Sequence, residues 1–507
     1  MNDSRKMPLN LICSIIAFAF NLGMGFFLSP YIVATIGAEA NGFVTLAANF
    51  ISYASLITIA LNSMAGRFIS LEYHKGNKEK ANVYYTSIFI ANIIISLVLF
   101  IVSVFCVINL ENLISISPNL VVSVKWLFAI LFFNFIINTF FSVWGVATFV
   151  TNRLYLTSLR NMEMYVIQAV VIIGLFFFLT PNVVYKGIAT LISTIYSIIA
   201  NCHYKRTLIP ELKLSRSDFD LKKVWELICS GIWVSIGRAG QILLTGVDLL
   251  ITNIFIDPVS MGIMSLAKVI PNAILNLINT VISVFVPSLV IDYAKEEYSG
   301  LVNQMKINMK IIGFISIFPL VILIVYGSEF FRLWVPSVDN HMLYTLSLIT
   351  CLDLLLTCSV QALTNLFTVF NKVKTYSIVV LILGGISAAV TIVLVKVTGL
   401  GIYAIVLTSA IFDVIRNLIY IVSASAKFLQ VKKIVYYKQI VKLVLIAGVN
   451  IVIANLFKHF LPCSTWLTFI GSVVIVCLAI LLVNVFLYIN HEERSTILNL
   501  IKQKRKR

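Results

Sequence analysis

Nine ionisable residues fall inside stretches of this chain that are otherwise apolar: Arg67, Lys125, Glu163, Arg238, Asp248, Lys268, Asp353, Asp413 and Arg416. A charge in hydrocarbon costs several kcal/mol unless it faces protein, water or a partner, so each is a candidate for function. Asp413 and Arg416 stand three apart, on one helical face, where they can form an ion pair. Asp353 has no partner on its own helix. It suits either a proton or sodium site or a pair with another helix. The run 224–255 holds Arg238 and Asp248 well inside its ends. For Arg238 the readings are a water-filled cavity that receives an anionic group, or a buried structural pair. Arg67 either joins that cationic cavity or snorkels to the interface, since Lys75 is only eight residues on. Glu163 sits near the cytoplasmic face, one turn from Arg160, and Lys125 near the outer end of its helix.

Asp248 and Lys268 form a further candidate. Asp248 precedes the turn at Asp257-Pro258 by nine residues and Lys268 follows it by ten. At ~1.5 Å per residue the two reach similar depths on adjoining helices, so opposite charges there are expected to pair. The pair reads equally as a fixed staple or as a gating switch.

The segments that must carry these residues are membrane helices. The chain has 507 residues, is 60% hydrophobic and only 12% charged, and its mean hydropathy is +0.99. Soluble domains carry roughly 25% charged residues, which excludes a soluble globular class. Apolar segments long enough for a helix fall near 9–35, 43–72, 83–107, 121–150, 162–180, 187–203 and 224–255. Others follow near 260–291, 309–326, 343–370, 376–395, 399–425, 440–457 and 466–488. The expectation is an all-α polytopic membrane protein of about fourteen helices, twelve at the least. The first segment is too long for a cleaved signal and reads as a retained anchor.

The net charge of +17 has a topological origin rather than a nucleic-acid partner. With a cytoplasmic N-terminus, most loop Lys and Arg fall on the cytoplasmic side, from Lys75, Lys78 and Lys80 through the 205–223 linker to the tail containing Arg494 and Lys502. The opposite loops hold only Lys186, Arg332, Lys396 and Lys458. This asymmetry implies an even number of crossings and two cytoplasmic termini. The eight cysteines make no CxxC, and the five histidines (His74, His203, His341, His459, His491) are dispersed. No metal or cofactor is expected, beyond H+ or Na+ as a coupling ion.

A repeat appears at a spacing of 220. GFVTLA at 42–47 returns as GIMSLA at 262–267, and the register then carries Ser63, Glu72, Tyr73 and Lys75 onto Ser283, Asp292, Tyr293 and Lys295. Six helices separate the copies. Two six-helix lobes related by a pseudo-two-fold along the membrane normal are therefore expected. The divisions are 1–205 and 224–428, with a linker at 206–223, an extra helix pair at 429–490 and a basic tail at 491–507.

The opening LNLICSIIAFAFNLGMGFFLSPYIVATIGAEANGFVTL, with Pro30 late in the first helix, resembles the start of polysaccharide flippases of the multidrug/oligosaccharidyl-lipid/polysaccharide exporter superfamily, which is MATE-like. GVDLLITNIFIDPVSMGIMSLAKVI is similar to that family's seventh and eighth helices. The resemblance covers essentially the whole chain. Where a Tyr-Gly pair is common in the family, this chain has Asn41-Gly42.

The resemblance implies a bacterial cytoplasmic (inner) membrane protein with a polysaccharide-export role, as in O-antigen or capsule. It would move undecaprenyl-diphosphate-linked oligosaccharide units from the cytoplasmic to the outer leaflet, with Arg238, Lys268 and Arg67 meeting the anionic headgroup. Asp248 and Asp353 would serve coupling or gating. Its partners would be the lipid-linked oligosaccharide, membrane lipids and other polysaccharide assembly proteins. Two alternatives stand beside it. A MATE-type multidrug or cation antiporter would share the plan but favour an acidic or aromatic cavity. A membrane glycan polymerase, ligase or acyltransferase would need clustered catalytic residues or a sizeable outer loop, and the outer connections here are short.

Overall fold

Helix follows from the bilayer itself, because a chain crossing hydrocarbon must satisfy its backbone N–H and C=O groups internally. A computed structural model describes residues 3–295 and 298–487. The basic tail at 491–507, with Arg494 and Lys502, lies outside the described residues.

Fourteen long helices are present among the described residues, several of them broken. They are α1 (Asp3–Thr35), α2 (Ala38–His74), α3 (Lys78–Ile108), α4 (Val121–Val150), α5 (Leu154–Phe178), α6 (Val184–Leu208) and α7 (Leu221–Gln241 continuing to Asp248–Phe255). Then come α8 (Pro258–Ala267 with Val269–Ala294), α9 (Tyr298–Trp334), α10 (Asn340–Thr357 with Asn365–Val369), α11 (Val373–Val397), α12 (Ile402–Phe428), α13 (Ile434–Phe460) and α14 (Trp466–Leu487). Ten are long and apolar enough to cross a membrane, or twelve if each of two bent pairs is one span. The others are α1, whose described apolar part is Leu22–Thr35, and α6, which carries Lys186, Lys205 and Arg206.

The repeat is written into the element bounds. A shift of 220 carries the ends of α2, Ala38 and His74, onto Pro258 and Ala294, the ends of α8. A shift of 219 carries Leu154 and Phe178 of α5 onto Val373 and Val397 of α11. The irregularities repeat as well. In α4 a 3-10 turn at Ser142–Gly145 is followed by Asn152 at φ 52°; in α10 a 3-10 turn at Val360–Thr364 is followed by Asn371 at φ 53°. Asparagine suits both positions, being among the residues that best tolerate a left-handed backbone.

Compactness divides the chain differently from the sequence lobes. One unit comprises 1–266 and 373–405, so α7, α11 and the start of α8 group with the N-terminal helices; the other comprises 267–372 and 406–507. Glycine explains the grouping of α7 and α11. A Cβ on Gly240 would stand 2.5 Å from the Leu381 amide nitrogen, and one on Gly384 would stand 2.4 Å from the Gly240 carbonyl oxygen. The two backbones touch where no side chain could fit. In the second unit, α13 and α14 pack on α9, and Asn450 donates to Asn484 across the pair at 2.8 Å.

Candidate functional site

Helix α7 is the polar helix of the first unit. Glu226, Ser230, Arg238, Gln241 and Thr245 recur at spacings of three, four and eight, which places them along one face. Ser230 and Arg238 are exposed. A polar exposed face on a membrane-crossing helix is stable only against water or protein rather than lipid. Lys223 and Tyr84 hold the Glu226 carboxylate at 2.8 and 3.0 Å near the N-terminal end of α7. Arg238 has no hydrogen bond or ion pair among the described residues, and its guanidinium is available.

Helix α2 runs antiparallel against α7 at backbone contact. A Cβ on Gly231 would lie 1.9 Å from the Ala60 carbonyl oxygen, and the Ser235 hydroxyl donates to the Leu56 carbonyl at 2.6 Å. Arg67 is exposed on α2 and, like Arg238, has no described partner. It lies seven residues beyond Ala60, while Arg238 lies seven residues beyond Gly231 in the opposite direction. At ~1.5 Å per residue the two are separated by about 20 Å along the helix axes. The expected cationic cavity would therefore have to extend along the α2–α7 pair to include both arginines.

Between Arg238 and Asp248, α7 passes through a π segment, Ile242–Gly246. Such a bulge displaces carbonyls from their i→i−4 partners, and these segments recur at functional sites. The Gly246 carbonyl accepts from Tyr53 Oη at 2.8 Å and from Asn49 Nδ2 at 3.3 Å, both on α2. Asp248 stands two residues after Gly246, 2% exposed, within electrostatic reach of Tyr53. Asp248 belongs to the first unit and Lys268, at the break in α8, to the second.

The second unit holds the other acids. Arg416 and Asp413 pair at 2.6 Å, both buried, and Asn417 Nδ2 donates to the same carboxylate at 2.8 Å. Arg416 and Asn417 sit on a second π segment, Ile415–Ile421, where the Leu418 carbonyl accepts from Tyr437 Oη at 2.7 Å. Each π segment thus has a displaced carbonyl capped by a tyrosine from a neighbouring helix. Asp353 is an electrostatic neighbour of both Asp413 and Arg416, and its Oδ1 is buried without a hydrogen-bond partner. A few residues on, α10 bends by 58° into its second segment. The isolated carboxylate of the sequence is therefore one arm of a cluster of two acids and one guanidinium.

Other charges resolve simply. Lys125 pairs with Glu111 near the N-terminal end of α4, and Lys458 pairs with Glu329 at 2.8 Å. Glu163 pairs with Arg160 at 2.6 Å and also accepts from Tyr196. Lys186, expected in an outer loop, instead lies inside α6, where its ammonium donates to Gln168 at 3.1 Å. Residue type alone could not reveal that inward turn. No group of three or more His, Cys, Asp or Glu side chains able to hold a metal occurs among the described residues.

These features define a multi-pass helical membrane protein with an exposed polar helix face in one unit and a buried ionic cluster in the other. Residues 9–291 match the family described as "Polysaccharide biosynthesis protein", more than half of the chain, and the chain belongs to that family. A curated relative, "Uncharacterized membrane protein EpsK" of Bacillus subtilis (strain 168), is 27% identical over 494 residues, covering 97% of each chain. Among solved structures, a "Lipid II flippase MurJ" in an inward closed conformation superposes with TM-score 0.69 at 16% identity, covering 96% of this chain and 99% of that one. An inward-facing multidrug resistance MATE family transporter of the MOP superfamily gives TM-score 0.66 at 14% identity, covering 84% and 99%. At those identities the likeness is one of fold.

Proposed function

We propose that this chain is a flippase for undecaprenyl-diphosphate-linked oligosaccharide repeat units. It moves them from the cytoplasmic to the outer leaflet of a bacterial cytoplasmic membrane by alternating access, in O-antigen, lipopolysaccharide or capsule-type export. Its partners are the lipid-linked oligosaccharide, membrane lipids and other polysaccharide assembly proteins. The observation that carries this reading is Arg238: exposed, unpartnered among the described residues, and set on the polar face of α7. A guanidinium there offsets the desolvation of a diphosphate and can hold it with two parallel hydrogen bonds. Arg67, some 20 Å nearer the cytoplasm by the same helix rise, is an earlier contact on the path. Lys268, at the break in α8, is a further contact for the headgroup. Exposed, unneutralised arginines also weigh against a cation antiporter. Transport is coupled to H+ or Na+ through Asp353: with both acids ionised, Asp353, Asp413 and Arg416 leave one negative charge for a monovalent cation to neutralise.

The test replaces Arg238. Arg238→Ala should abolish surface-glycan export at normal protein abundance, and Arg238→Lys should retain part of it, keeping charge while losing the planar fork. Normal export by the alanine variant would sink the headgroup role.

A further inference from the structure

Within the first unit, helix α7 is held by its neighbours in two different ways, and the change falls at its π segment. Before that segment, Val224 and Leu227 are buried in an apolar cluster with Leu61, Tyr85 and Ile88, and Gly231 meets α2 at backbone contact. Tyr53 and Asn49 of α2 then fasten the Gly246 carbonyl. Beyond it, two asparagines bind the repeats together. Asn253, buried near the end of α7, accepts from the Ser115 amide at 2.8 Å through Oδ1 and donates to the Ser115 carbonyl at 2.9 Å through Nδ2. Its side chain thus takes the place of a neighbouring strand along the connection between α3 and α4. Where α2 crosses the start of α8, Asn41 Nδ2 donates to Ser265 Oγ at 2.9 Å. Glu39, in the first turn of α2, grips the same connection two residues on. Its Oε1 accepts from the Ser117 amide at 3.0 Å and its Oε2 from Ser117 Oγ at 2.7 Å.

The two kinds of attachment respond differently to separation. Hydrogen bonds exchange for bonds to water at little net cost, whereas stripping Val224 and Leu227 from their cluster would expose apolar surface. Between them the π segment supplies a point of bending, because its backbone bonds are already displaced from the regular ladder. The Lys396 ammonium lies 5.0 Å over the Phe255 ring, so the end of α7 stays with α11, a helix of its own repeat. The geometry points to the segment 248–266 as a gate that swings about Ile242–Gly246, latched by Asn253 on Ser115 and by Asn41 on Ser265. Glu39 keeps the 115–117 strap on α2, as the fixed side against which the gate closes. On the orientation expected from charge, this is the end at which the glycan leaves. The gate rests on the flippase reading for what passes through it.

The test uses the full chain in a Cys-free background. Asn41→Cys with Ser265→Cys places a disulfide across the latch, and Glu39→Cys with Ser117→Cys places one within the fixed side as a control. Oxidation of the first pair should lower export of lipid-linked glycan by about ten-fold or more, and reduction should restore it. Oxidation of the second should leave export unchanged. Export that continues through the first cross-link, or that is blocked by both, would overturn the gate. A second readout needs no transport. Ser265→Cys, buried at the latch, is labelled in detergent solution with a water-soluble maleimide. Adding Asn253→Ala should speed that labelling by about ten-fold, because the rate follows the open population. An unchanged rate would make Asn253 part of a permanent interface and sink the proposal. Asn253→Asp, which keeps the acceptor and loses the donor, repeats the measurement if the alanine variant does not insert. Faster labelling in a protein that moves no lipid-linked glycan even when reduced would end the flippase reading and leave the gate standing.

Discussion

Side chains of similar chemistry play opposite parts in this protein, and their surroundings separate them. Arg416 is 3% exposed and paired, whereas Arg238 is exposed with no described partner. Removing one member of a buried ion pair strands the other, at a cost of about 3–5 kcal/mol. Arg416→Ala is therefore expected to cut the yield of folded protein and its thermal stability. Asp353→Asn should preserve folding and abolish dependence of transport on the H+ or Na+ gradient, because its Oδ1 has no hydrogen-bond partner to lose. A stable Arg416→Ala protein would mean that the pair is not structural. For Asp248 and Lys268, the pairing expected from the sequence is tested by exchange: Asp248→Lys with Lys268→Asp should restore export if the pair is a fixed staple. An abundant but inactive exchange variant assigns the pair to gating instead.

At the scale of elements, glycine governs how the helices of the first unit meet. A Cβ on Gly262 would lie 2.2 Å from the Ala38 carbonyl oxygen, and one on Gly42 would lie 2.8 Å from the Gly262 Cα. These glycines are the first residues of the two repeat motifs. The motifs therefore cross each other backbone to backbone, with Asn41 Nδ2 donating to Ser265 Oγ at 2.9 Å beside the crossing. Gly262→Val should separate α2 from the start of α8 and cost about 1–3 kcal/mol, seen as a lower melting temperature of the purified protein. Gly25→Ala should be neutral or slightly stabilising, since nothing lies within 4 Å and alanine favours helix over glycine. Equal melting temperatures for the two variants would show that the crossing is not tight.

For the whole molecule, the open question is which way it sits in the membrane, and charge supplies the expectation. Cysteine placed at Asn119 or Ser337, both exposed, should be labelled from outside intact cells in a Cys-free background, and cysteine at Ser217 should not. External labelling at Ser217 would reverse the topology. Pairing occurs on both sets of loops: Lys458 pairs with Glu329 and Lys186 turns in to Gln168, while Lys75 pairs with Glu72 and Lys78 with Glu211, so the expectation rests on the distribution of the basic residues along the sequence.

Much of this protein was legible before any coordinates. The all-helical class and the repeated spacing of the helices follow from hydropathy and register, because a bilayer admits few structures and duplication preserves spacing. The Asp413–Arg416 pair was readable for a similar reason: partners three residues apart on one helix are brought together by helical geometry alone. What lay beyond the sequence depends on segments far apart in the chain. Asp353 joins Asp413 and Arg416 only because α10 and α12 pack within one unit, and no local pattern encodes that meeting. The π segments were equally hidden, since their carbonyls are satisfied by Tyr53 and Tyr437 from other helices. Arg67 and Arg238 are alike in sequence, both arginines in apolar helices. Only the antiparallel register of α2 on α7, set by Gly231 against Ala60, places them at different depths.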